Sequence, residues 1–282
     1  MLDALSAELL KLRRHKATWS LVWLYPIGFT LIFLIGIIVG VAGGDAPEQQ
    51  SLPEWLENTA FAWYVPRNSV GRVMIAAYVA VVFAGEYGWN TWKLIVPHRS
   101  RGALIGAKYA AVLILFALAF LATALFSTLG IWTDSVATGD TIPAGVTAGA
   151  LLGEHGQGAL AALPPFAVTV ACVSLAAILT RSTIAALVIA IVLISIEQLI
   201  FSFGPILSMR FPAIVWPLYH ALPGYHLANL FEWIGEAKAL SVEFPAGRTV
   251  SLGWTTSLAV VTAWIVVPAA ATFAAFRRQD IN

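Results

Sequence analysis

Charged side chains are scarce in this sequence. Lys, Arg, Asp and Glu make up 11% of 282 residues, against about 25% in ordinary soluble domains. So few charges cannot wet the surface of a soluble protein of this size. That excludes a soluble enzyme, a nucleic-acid-binding module and a disordered chain. Cysteine is nearly absent. Cys172 stands alone, so neither an intramolecular disulfide nor a cysteine-based metal site can form. Set among Val168, Val170, Val173 and Leu175, it reads as a small packing residue. Catalytic signatures are missing as well. There is no G-x-x-x-x-G-K-[S/T] phosphate loop, so the chain is not expected to hydrolyse ATP itself. There is no G-x-S-x-G elbow and no H-E-x-x-H helix. Of the five histidines, His15 and His98 lie in basic segments, and His220 and His226 are six apart, off a shared helical face. Glu154-His155 is an isolated pair in a Gly-rich loop. No catalytic residue, metal ligand or cofactor site is assigned.

Apolar residues are abundant, at 59%, and they fall in long blocks. A helix needs about 20 mostly apolar residues to cross the hydrocarbon of a bilayer. Six segments qualify: Ser20–Ala42, Ser69–Gly85, Tyr109–Trp132, Ala159–Leu179, Ile184–Phe203 and Leu252–Phe276. The fold class expected is therefore all-α, a polytopic membrane protein with six transmembrane helices. Arg72 marks the outer end of the short second segment, and Pro164-Pro165 is expected near one end of the fourth, where a missing helix donor costs least. The first segment is too long for a typical signal-peptide core and is preceded by 19 residues, so it is expected to stay as a span.

The formal net charge of +1 conceals a strong asymmetry. With six spans, one side carries Lys11, Arg13, Arg14, Lys16, Lys93, Arg99, Arg101, Lys108, Arg181, Arg277 and Arg278, against the acids Asp3, Glu8, Glu86 and Asp280. The other carries Arg67, Arg72, Arg210, Lys238 and Arg248, against ten acids. By the positive-inside rule both termini are expected to be cytoplasmic, with the chain multi-pass in the plasma membrane.

Three segments outside the spans stand out. Residues 1–19 are expected to hold an amphipathic helix, with Leu2, Leu5, Leu9 and Leu12 at the 3.6-residue period, lying in the membrane interface with its basic end toward anionic lipid headgroups. In the first outer loop, Leu52, Trp55 and Leu56 are expected to face the membrane while its carboxylates face water. Residues 204–251 are apolar but broken by Pro205, Pro212, Pro217 and Pro223, which predicts re-entrant outer helices before the last span, one of them over Tyr225–Leu240. No repeat or linker divides the chain, so residues 1–282 are expected to form one membrane domain.

Two features carry chemistry. The cytoplasmic loop 86–108 places Glu86 just past a span, then a short amphipathic piece, a Pro97 stop, the basic cluster Arg99-Ser100-Arg101 and Lys108 at the next span. The order suits docking of a partner protein; the plainer alternative is a basic loop that only fixes topology. Glu197 sits inside the fifth span beside Gln198. A charge there costs about 2.5–3.5 kcal/mol on insertion scales. It is either a structural acid paired with Arg72 or a group lining a polar pathway, and the two readings overlap.

Glu86, Thr91, Pro97, Arg99, Arg101 and Lys108, with the N-terminal run Lys11-Leu12-Arg13-Arg14-x-Lys16, resemble the permease subunits of ABC type-2 exporters. Asn90 stands where that family commonly has Gly. The resemblance implies a permease homodimer, or a pair with a related second permease, and a separate ATP-binding cassette ATPase that holds ATP and Mg. Glu86, Thr91, Lys93, Pro97, Arg99 and Arg101 would form the ATPase-coupling segment, with Lys11, Arg13 and Arg14 on the helix beside it. Glu197, Arg72 and Gln198 would be an intramembrane pair or part of the substrate pathway. The cargo expected is amphiphilic (a peptide antibiotic, drug, lipid or glycolipid), moved outward, with multidrug or antibiotic resistance as a consequence. Two other classes compete. An intramembrane enzyme or quinone- or haem-binding protein needs clustered ligands within the spans, where only Glu197 and Cys172 are candidates. A non-transporting immunity or sensor subunit shares the same architecture.

Overall fold

Six helices long and apolar enough to cross a membrane organise the computed structural model, which describes residues 2–43, 49–88 and 92–280 apart from the side chains at 94, 95, 97 and 246. The helices are α1 (Leu2–Arg13), α2 (Leu24–Gly43), α3 (Leu52–Ala60), α4 (Ser69–Gly88), α5 (Trp92–Ile95), α6 (Arg101–Thr138), α7 (Ala148–Thr180), α8 (Thr183–Ser208), α9 (Pro212–Ala221), α10 (Pro223–Glu236) and α11 (Trp254–Arg278). The spans are α2, α4, α6, α7, α8 and α11. The fold is all-α in class, with one short hairpin, β1 (Ser241–Phe244) and β2 (Arg248–Ser251).

Spans α4 and α7 form the centre and are the most buried, while α2, α8 and α11 present mostly exposed surface. Lipid tails are as apolar as the helices, so close packing rather than hydrophobic burial joins spans to one another, and small side chains permit it. On α4, Ala76, Ala80 and Ala84 recur every four residues and are buried, and Ala176 and Ala177 are buried on α7. Phe116, Phe120 and Phe166 pack edge-on and tilted against one another, with Tyr25 and Tyr78 joining Phe116.

Polar caps start the helices. Ser100, Thr147 and Ser182 each accept a backbone N–H from three residues on, at the heads of α6, α7 and α8. Gly139 at φ 83° and Arg181 at φ 55° end α6 and α7 in the left-handed region. The Thr18–Val22 stretch, with its last three residues expected in the first span, is a separate widened helical turn. The Thr18 hydroxyl fixes it, bonding to the Leu12 carbonyl at 2.7 Å and lying 3.0 Å from the Tyr78 hydroxyl.

Several sequence expectations are corrected. The fourth span begins well before Ala159, so Pro164 and Pro165 lie in the interior of α7 rather than near an end. Glu154-His155 is helical, not in a loop. Gly158 there marks a close approach: a Cβ on it would stand 2.7 Å from the Trp63 ring. His155 is held between Trp63, whose Nε1 donates to Nδ1 at 3.0 Å, and the Thr128 hydroxyl at 2.9 Å. Trp55 and Leu56 are buried against protein rather than facing the membrane, and Trp55 Nε1 donates to Ser135 on α6. Leu5, Leu9 and Leu12 of α1 pack on the protein core, while Leu2 and Leu10 stay exposed.

The segment before the last span is a helical pair, α9 and α10, followed by the hairpin. Helix α10 stops at Glu236 rather than reaching Leu240, because Asn229 Oδ1 captures the Leu240 N–H at 2.7 Å. The Tyr225 hydroxyl donates to the Leu240 carbonyl and accepts from the Leu252 N–H, and Asn229 Nδ2 donates to the Leu252 carbonyl. The hairpin is thus stapled to α10 at both of its ends. Tyr219, Phe244 and Val250 fill the space between the hairpin and α8.

The two ends of the described chain lie on one side of the molecule. Arg99 pairs with Asp3 at 3.1 Å, and Arg101 reaches the end of α11. That side is called the terminal side below, and the opposite one the far side.

Candidate functional site

On the terminal side, four charges converge. Helix α4 runs three residues past the expected end, so Glu86 lies within its last turn, and Lys108 lies two turns into α6. The loop 86–108 is therefore shorter than the sequence suggests. Lys108 Nζ donates to the Val82 carbonyl at 2.8 Å, to Glu8 at 3.0 Å and to Glu86 at 3.2 Å, and its side chain is 3% exposed. Lys11 Nζ meets the same two carboxylates, at 2.7 Å for Glu8 and 2.5 Å for Glu86. Burial by itself lowers the Lys11 pKa, but the Glu8 and Glu86 carboxylates outweigh it and hold the value above the ordinary 10.5. Two cations share two anions, and α1, α4 and α6 are bound into one unit. A buried charge is tolerable only when paired in this way.

Trp92 of α5 covers this cluster. It is buried against Phe276, ring centroids 4.5 Å apart, with Lys108 Nζ 5.1 Å from its own ring centroid. Its indole Nε1 is buried with no hydrogen-bond partner among the described residues. Beside it a cavity of about 420 Å³ opens between α1 and the α5 segment, with Asp3, Lys11, His98 and Arg99 on its wall.

The sequence-derived coupling residues separate here. Glu86 lies within the charge cluster. Lys93 is exposed, and Arg99 is exposed apart from its link to Asp3. Position 97 lies in a 3₁₀ turn over Val96–His98. Thr91 and Asn90 fall outside the described residues. Arg101 turns inward: its Nη1 donates to the carbonyls of Phe276, Arg277 and Gln279, capping the end of α11. Gln279 in turn receives a bond from Tyr87 and donates to the Ile178 carbonyl. Of the basic residues on α1, Lys11 joins the cluster, while Arg13 and Arg14 are exposed. Sequence reasoning missed Glu8 and Trp92. Glu8 stands three residues before Lys11, a spacing that puts both on one helical face, and that was its available signal.

The second constellation joins α4 and α8 near the far side. Arg72 and Glu197 are nearly fully buried and form a two-pronged pair, Nη1 to Oε1 at 2.5 Å and Nη2 to Oε2 at 2.9 Å. Arg72 Nε donates to the Thr169 hydroxyl at 3.0 Å, and that hydroxyl donates to the Pro165 carbonyl. The interior prolines of α7 thus lie beside the pair and are tied to it. Helix α10 presses its first turn onto Glu197 at Gly224, where a Cβ would lie 3.0 Å from the Glu197 carbonyl. Gln198 points elsewhere. It is exposed on α8, 3.3 Å from the Ser69 hydroxyl, and donates to Ser202. A cavity of about 160 Å³ adjoins the pair and extends to Arg67 and Gln198.

A family model described as ABC-2 family transporter protein matches residues 4–197. No curated protein and no solved structure matches the chain. The matched stretch runs from α1 through α8 as far as Glu197, taking in both constellations, and the chain belongs to the ABC-2 transporter family.

Proposed function

We propose that this membrane subunit exports an amphiphilic substrate (a peptide antibiotic, drug, lipid or glycolipid) toward the far side, driven by a separate ATP-binding cassette subunit on the terminal side. The charge cluster Glu8–Lys11–Glu86–Lys108 carries this reading. It locks α1, α4 and α6 together beside the segment that carries the exposed Lys93 and Arg99, so force applied there reaches two spans at once. ATP and Mg belong to the partner. The charge asymmetry supports a cytoplasmic terminal side.

A second permease copy supplies what α8 lacks. Its exposed face is apolar through Val188, Ile191, Ile196, Leu199 and Phe203, yet Ser195, Gln198 and Ser202 interrupt it. Polar groups at membrane depth call for a protein neighbour or a wet pathway, and a paired subunit provides both. The few polar contacts offered by the spans favour an amphiphilic cargo over small sugars or inorganic ions.

The test is co-purification of the full chain with a candidate ATP-binding cassette ATPase, followed by ATPase and transport assays in vesicles. A stable complex, with ATP hydrolysis that depends on the permease and on Lys93 and Arg99, is expected. No complex and no permease-dependent hydrolysis would overturn the proposal. A complex with hydrolysis but no cargo movement would favour a sensor or immunity subunit.

A further inference from the structure

The far-side cavity beside the ion pair holds two guanidinium groups in different states. Arg72 is fully engaged by Glu197 and Thr169. Arg67 lies in the 3₁₀ turn before α4 and forms no ion pair among the described residues. Its guanidinium lies over the Phe231 ring of α10, 3.4 Å from the centroid, and 5.9 Å from that of Tyr64. Burial pulls its pKa down while Tyr64 and the Glu57 carboxylate pull the other way. Stacking occupies one face of the guanidinium. Its N–H edges remain for a planar, two-pronged acceptor, the geometry in which Arg binds phosphate and carboxylate.

The surroundings select among anions. Leu227, Ala228 and Phe231 give the cavity an apolar wall, and the exposed Tyr64 lines it, stacked on the exposed Phe61. A fully hydrated anion gains nothing from such walls, whereas an amphiphile gains along its whole length. Aromatic side chains at this level are typical of the zone where lipid headgroups meet the hydrocarbon.

We propose that Arg67 and this cavity bind the phosphodiester of a phospholipid from the far-side leaflet, whose acyl chains lie along Tyr64 and Phe61. The site is distinct from the charge cluster on the terminal side. It depends neither on the identity of the cargo nor on the direction of transport.

The test uses the purified full-length chain in detergent with added phosphatidylglycerol, and counts retained lipids by native mass spectrometry. One tightly held phosphatidylglycerol per chain is expected. Arg67→Gln should weaken its retention about tenfold or more, the size of losing one charge-assisted contact. Arg67→Lys keeps the charge but loses the fork and the stacking, so its retention should fall between those of wild type and Arg67→Gln. Ala228→Phe leaves Arg67 in place but fills the cavity, and should also expel the lipid. A phosphate-free galactosyl diacylglycerol should not be retained. Equal retention by wild type and a folded Arg67→Gln variant, judged by an unchanged melting temperature, would overturn the proposal. So would equal retention of the phosphate-free lipid. Displacement of the phospholipid by inorganic phosphate or glycerol phosphate at matched concentration would assign the site to a soluble anion and overturn the lipid assignment.

Discussion

Arg72 and Glu197 are 125 positions apart in sequence, yet both nitrogen tips of the one meet both oxygens of the other. The pair joins α4 to α8 at a depth where neither charge could stand alone. Removing one partner leaves the other buried and uncompensated, which costs about 3–5 kcal/mol. Arg72→Met and Glu197→Leu are each expected to lower the melting temperature sharply in detergent, and the two together to recover most of the loss. The exchange Arg72→Glu with Glu197→Arg should be more stable than either of its single changes. If it is no better than the worse single change, the pair does not stabilise the fold.

Gly71 gives a backbone prediction. A Cβ there would collide with the Val65 carbonyl oxygen, and backbone cannot step aside as a side-chain tip can. The same residue accepts the Tyr25 hydroxyl and donates its N–H to Asn68, so three segments meet at this point. Gly71→Ala is expected to destabilise by roughly 3 kcal/mol, the upper range for overpacking. A Cβ added to Gly28 on α2 would meet nothing within 4 Å. Gly28→Ala should be neutral or stabilising by up to about 1 kcal/mol through helix propensity. Thermal denaturation of the two variants side by side checks the contrast.

Lys108 and Lys93 should separate stability from coupling. Lys108 supplies three bonds from a nearly closed environment, so Lys108→Met takes the buried cation away from Glu8 and Glu86 and is expected to cost about 3 kcal/mol. Lys93 is exposed and forms no ion pair among the described residues. Lys93→Ala should leave the melting temperature unchanged while weakening ATPase binding and stimulation. An unchanged ATPase response would remove Lys93 from the docking surface.

The Lys11 ammonium predicts how the docking of α1 responds to pH. Its folded-state pKa lies above the ordinary 10.5, so its contribution is complete below that value and is lost as pH rises through the folded one. With 41% of the side chain exposed, solvent screening keeps the effect small. Alkaline solution should loosen α1 in wild type more than in Lys11→Met, read by hydrogen exchange of residues 2–13. Near neutral pH the Lys11 charge state should leave that exchange unchanged.

Much of this architecture is legible from composition because the hydrocarbon imposes a length that six apolar runs satisfy. Arg72 and Glu197 are legible for the same reason: a charge within an apolar run demands a partner. The four-charge cluster is only half legible. Glu86 and Lys11 stand out in a basic segment, but Glu8 reads as an ordinary solvated acid until α1 is folded back onto α6. The Gly-rich stretch around Gly158 reads as a loop because glycine lowers helix propensity; the Trp63 ring needs that glycine, and packing overrides propensity. The β1–β2 hairpin offers only the four-residue alternation Ser241-Val242-Glu243-Phe244, too short to mark a strand by itself. Its existence depends on Tyr225 and Asn229, residues on a helix earlier in the chain.

Helix α6 has 38 residues, about 57 Å at 1.5 Å per residue, nearly twice the thickness of a bilayer's hydrocarbon. It is a rigid rod whose near end holds Lys108 and whose far end holds Ser135, the hydrogen-bond partner of Trp55 on α3. A rod of that length is a lever. A tilt of about 5° about its near end displaces the far end by about 5 Å, since displacement grows with arm length. A rearrangement of the four charged side chains that tilted α6 by that angle would shift the far rim by the width of a methylene chain.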